Sequence, residues 1–62
     1  MSSNLKDARW QLAIDWAAED GKDFLELDYH WQDRYLEPAR RRLSLASTET
    51  IDALAARFRN EN

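Results

Sequence analysis

The stretch Asp23-Phe24-Leu25-Glu26-Leu27-Asp28-Tyr29-His30-Trp31-Gln32, DFLELDYHWQ, decides how this 62-residue chain folds. As a strand it alternates, with Leu25, Leu27, Tyr29 and Trp31 on one face and Glu26, Asp28, His30 and Gln32 on the other. As a helix it sets Phe24, Leu27, Trp31 and Tyr35 on one stripe and Leu25, Tyr29 and Leu36 on a second. Glu26, His30, Asp33 and Glu37 then line a third face. The helical pattern runs on to Tyr35, past the usual strand length. Asp23 and Glu26 also have the spacing of a capping box. A lone strand would need a partner from a second chain. The expectation is therefore a helix over about 24–36. A proline at Asp28 would then break an interior turn, at about 3 kcal/mol or more.

The rest of the chain predicts helices. Residues 4–20 contain no Pro, no Gly and one β-branched residue, Ile14. Ser3 or Asn4 is the expected cap, and Gly21 the residue just past the end. This helix carries two apolar stripes, Leu5-Leu12-Trp16 with Ala8 at its edge, and Trp10-Ile14-Ala17 nearly opposite. Pro38 ends or kinks the second helix, and residues 38–46 form a short third helix opened by it or the continuation of a kinked one. Ser47 or Thr48 begins a last helix over 48–60, with Ile51, Leu54, Ala55 and Phe58 on one stripe. The expected fold is a single all-α domain of three or four helices over 1–62.

So short a chain buries only about 60% of its unfolded surface and is marginal alone. It has no Cys and one His, which leaves neither disulfides nor an ordinary zinc site as a staple. Self-association is expected in their place, through whichever stripe of the first helix faces outward. No cofactor and no metal is expected.

The alternative is the strand reading. A strand and two helices over 24–60 resembles the element order of ribbon-helix-helix proteins. That resemblance implies an intertwined dimer paired through the strand. Glu26, Asp28 and His30 would then stand where such proteins place basic or polar residues in the DNA groove. The resemblance therefore implies the fold without its usual DNA contact.

Charge is unevenly placed. The net charge is −3. Residues 15–37 hold eight acids against Lys22 and Arg34, whereas residues 38–62 hold five Arg against three acids. An acidic middle repels nucleic acid over much of the chain. No apolar run approaches the ~18 residues that span a bilayer, and no signal-peptide pattern opens the chain. A cytoplasmic protein is expected.

No catalytic motif stands out. Glu26, Asp33 and Glu37 with His30 could act as acid and base, but a solvated acidic face explains them better. The expected function is that of a small regulator or inhibitor, of the kind phages and mobile elements encode. It would bind a basic or nucleic-acid-associated protein through Glu26, Asp33 and Glu37 with the stripes of Tyr29 and Leu36 or of Trp10 and Ile14. The alternative is a dimeric DNA-binding regulator using Arg40, Arg41 and Arg42, helped by Arg57 and Arg59.

Overall fold

In the computed structural model, which describes residues 3–61, three helices form: α1 (Ser3–Glu19), α2 (Tyr29–Leu43) and α3 (Thr48–Glu61). A single 3-10 turn, Phe24–Glu26, stands between α1 and α2. The all-α expectation holds, and no strand occurs among the described residues. The ribbon-type alternative falls with its strand. The radius of gyration, 10.9 Å, matches the ~10.6 Å of a compact chain of this length.

The opening stretch is neither a strand nor one helix. Asp23 caps the 3-10 turn by accepting the Leu25 N–H at 3.2 Å. Leu27 and Asp28 then return to extended backbone. Asp28 starts α2 by accepting the Trp31 N–H at 3.1 Å. The expected helix over 24–36 is thus corrected: its first turn is separate, and two aspartates in close succession each begin an element. The break also turns Phe24 inward. It is 1% exposed and meets Trp10 edge-on at 5.2 Å and Tyr35 at 6.3 Å between ring centroids. Gln32 Nε2 donates to the Phe24 carbonyl at 3.1 Å and fastens the turn to α2.

Pro38 neither ends α2 nor opens a separate helix over 38–46; of the expected alternatives, continuation of the helix past it holds. It lies inside α2, which stops at Leu43. A proline inside a helix costs about 3 kcal/mol. Just beyond it, Ala39 and Leu43 are buried. Burying a leucine alone returns about 1.5–3 kcal/mol, and ending at Glu37 would expose both residues. Arg40, Arg41 and Arg42 occupy the last turn, where the helix dipole favours cations. Ser44 closes it, its hydroxyl donating to the Arg41 carbonyl at 2.7 Å.

The other ends follow local chemistry. Gly21, at φ 76°, sits past the end of α1. The Lys22 N–H reaches the Ala17 carbonyl at 2.8 Å and the Gly21 N–H the Ala18 carbonyl at 2.9 Å, the two bonds of a Schellman closure. Ser47 caps α3, its hydroxyl oxygen accepting the Thr50 N–H at 3.2 Å. Ser3 and Asn4 lie within α1 rather than before it. Asn4 instead donates to Asp52 of α3 at 2.9 Å and accepts from Arg59.

α1 is the element that α3, α2 and the 3-10 turn all pack against. Ala8 packs with Leu43 and Ala55, and Leu12, Ala46, Ile51 and Leu54 gather around them. Ala13, Ala17 and Phe24 form a second cluster with Trp10, Ile14, Leu27, Tyr35 and Leu36. Residues of both stripes of α1 therefore serve the fold of one chain, and of the stripe residues Leu5 stays exposed. Neither stripe as a whole is left to face a second copy.

Polar pairs tie α1 to α3 along the same seam. Arg57 binds both carboxylate oxygens of Asp15 at 3.0 Å, and Arg59 binds Asp7 at 3.0 Å. Gln11, buried at 1% exposure, donates to Asp15 at 2.9 Å and holds it toward Arg57.

Candidate functional site

α2 carries opposite chemistry at its two ends. At its N-terminal end Tyr29 is 82% exposed, and Leu25 and Trp31 are exposed beside it in the chain. Glu26, Asp28 and Asp33 are exposed there too. Lys22 Nζ lies 4.3 Å and the Arg34 guanidinium 5.0 Å from the Trp31 ring centroid. These two cations cover Trp31, which leaves Tyr29 and Leu25 as the bare apolar groups among the acids.

At its C-terminal end α2 meets α1 and the start of α3 around a groove of about 700 Å³. Leu5, Leu43, Ala46 and Ile51 give it apolar lining, and Lys6, Arg9, Arg40 and Arg41 supply four positive charges. No acid lines it, although Glu37 reaches Arg40 at 3.4 Å. Arg9 Nε is buried without a hydrogen-bond partner. Leu45, 85% exposed, sits in the turn between the groove residues Ser44 and Ala46.

The residues expected to bind a partner divide between surface and interior. Trp10, Ile14 and Leu36 pack against Phe24 in the second core cluster, so they support the surface rather than form it. Glu26 stands on the 3-10 turn, off the helix that carries Asp33 and Glu37. The three acids are all exposed but do not share one helical face. Tyr29 is open as expected. Arg40 and Arg41 line the groove while Arg42 does not, and Arg57 and Arg59 are engaged with Asp15 and Asp7. Sequence reasoning missed the groove. Lys6 and Arg9 are separated from Arg40 by more than thirty residues, and no local pattern joins them.

Tyr35 links α2 to the end of α1, its hydroxyl donating to Asp20 at 2.6 Å. That hydrogen bond to a carboxylate, with some burial and the carboxylate's charge, raises the phenol above its ordinary value. No group of three or more His, Cys, Asp or Glu suited to a metal occurs among the described residues. Nor is any described helix long and apolar enough to cross a membrane.

Compared by sequence and by structure, no family model, no curated protein and no solved structure matches this chain.

Proposed function

We propose that this protein is a non-catalytic regulator or inhibitor that binds a basic protein surface through the N-terminal end of α2. The exposure of Tyr29, 82% in a chain that encloses Phe24, carries the reading. An aromatic ring left in water among Glu26, Asp28 and Asp33 has the composition of an interface anchor within a charged rim. The acids speed and orient the encounter with a basic surface, and Tyr29 and Leu25 supply desolvated contact.

The test is capture from lysate by tagged wild type and by the triple reversal Glu26→Lys, Asp33→Lys, Glu37→Lys. A protein held by the wild type, lost by the reversal and released as salt rises supports the reading. Equal retention by both proteins at low salt overturns it. A second reading, contact of Arg40, Arg41 and Arg42 with DNA, draws on the basic groove at the other end of α2. Steeply salt-dependent binding of generic duplex DNA would favour it. The groove's apolar lining speaks against it, since phosphates offer leucine nothing.

A further inference from the structure

We infer that the basic groove receives the acidic, aromatic end of α2 from a second copy of this chain, and that the exchange is reciprocal across a two-fold axis. The inference rests on the same acidic end as the proposed function and concerns what covers that end when no other partner does.

The exposed large apolar residues among those described are Leu5, Leu25, Tyr29, Trp31 and Leu45. They fall into two places. Leu25, Tyr29 and Trp31 lie at the N-terminal end of α2 or just before it, among acids. Leu5 lines the groove and Leu45 adjoins it, among cations. Each patch thus has an uncovered apolar part; acids predominate around the first, where Lys22 and Arg34 lie over Trp31, and the charged residues lining the second are all cations. The unpartnered Nε of Arg9 adds a donor beside the groove with no acceptor in its own chain.

One chain cannot join its own two patches. Tyr29 and Arg41 are twelve residues apart on one helix, about 18 Å along its axis. A second copy with its α2 antiparallel to the first sets each acidic end against the other's groove. The contact is then self-complementary and closes as a dimer, with no patch left over to continue a chain. Glu26 and Asp33 approach the partner's Lys6 and Arg41, and Tyr29 and Leu25 cover the apolar lining. The dimer masks the acidic end, so a basic partner must compete with the groove for it.

The test is sedimentation equilibrium on three proteins, each first checked for helix content and a cooperative melt. They are the wild type, a groove reversal (Lys6→Glu, Arg41→Glu) and an end reversal (Glu26→Lys, Asp33→Lys). All four positions are exposed, so the fold is expected to survive. The wild type should dimerise and should dissociate as salt rises. Either reversal alone should weaken the dimer by about a hundredfold or more, through like-charge contacts. An equimolar mixture of the two reversals should restore it, because each variant's altered patch then meets its opposite.

A wild type that stays monomeric at low salt overturns the inference. So does a dimer indifferent to either reversal, or a mixture that does not recover. If the groove instead holds duplex DNA on a monomer, binding lost in the groove reversal shows it, and the inference also fails. Failure of the proposed function is read separately, from equal lysate capture by wild type and the Glu26-Asp33-Glu37 reversal.

Discussion

The Asp28 carboxylate accepts the backbone N–H of Trp31 at 3.1 Å, and this bond fixes where α2 begins. Asp28 itself has φ −72° and ψ 167°, and Leu27 before it has φ −76° and ψ 149°. Both pairs of angles suit an X-Pro step. Asp28→Pro should therefore cost little more than Asp28→Ala, each losing a cap worth about 1 kcal/mol. A urea melt that places Asp28→Pro about 3 kcal/mol below wild type would show that the helix extends through this position.

Phe24 fills the space between Trp10 and Tyr35. Truncation to Ala should cost about 3–5 kcal/mol. A chain of this size has a total stability of about 3–9 kcal/mol, so Phe24→Ala should be largely unfolded at room temperature. Phe24→Leu should stay folded, with a lower denaturant midpoint. Trp10→Ala should also destabilise the monomeric fold, which fluorescence and circular dichroism melts at several protein concentrations would show. A Trp10→Ala chain with full stability would mean that Trp10 faces outward after all.

Pro38 interrupts the hydrogen-bond ladder of a helix that continues past it. Pro38→Ala restores one donor and removes the ring's clash with the preceding turn, worth about 3 kcal/mol. It also frees the unfolded chain, at about 0.4–1 kcal/mol. The net expectation is a protein about 2 kcal/mol more stable with unchanged tertiary contacts. A lower melting temperature would show that the proline is needed to aim the last turn of α2 at α1.

Tyr35 should lose its proton above the usual tyrosine value of about 10, held by its bond to Asp20. Its folded value is raised, so the stability from this bond is fully present below the unfolded value. It is lost as pH rises through the folded one. Ultraviolet titration of tyrosinate in a Tyr29→Phe background reads Tyr35 alone. Asp20→Asn should lower its midpoint by removing the charged acceptor, and an unmoved midpoint would contradict the assigned cause.

Much of the fold was legible because it is local. The pattern of residues 4–20, the glycine at 21, the serine at 47 and the stripe through Ile51 and Phe58 each place a helix or its end. These features act within one or two turns and need no distant partner. The stretch from Asp23 to Gln32 resisted because two local signals compete there. Asp23 and Asp28 can each cap a helix, and the choice turns on where Phe24 is buried.

The sequence by itself determined that this protein is helical, with an acidic middle and arginines after Pro38. Helical period, capping and charge are properties of neighbouring residues. Only the tertiary structure decided that α2 runs through Pro38, since the burial of Ala39 and of Leu43, the latter beside Ala8 of α1, offsets the proline. It alone showed that residues of both stripes of α1 are packed within one chain, around Ala8 in one cluster and Phe24 in the other, while Leu5 stays exposed. It alone assembled Lys6, Arg9, Arg40 and Arg41 around one groove. The physical reason is that burial and charge clustering depend on which surfaces meet, and that is set by packing among all three helices at once.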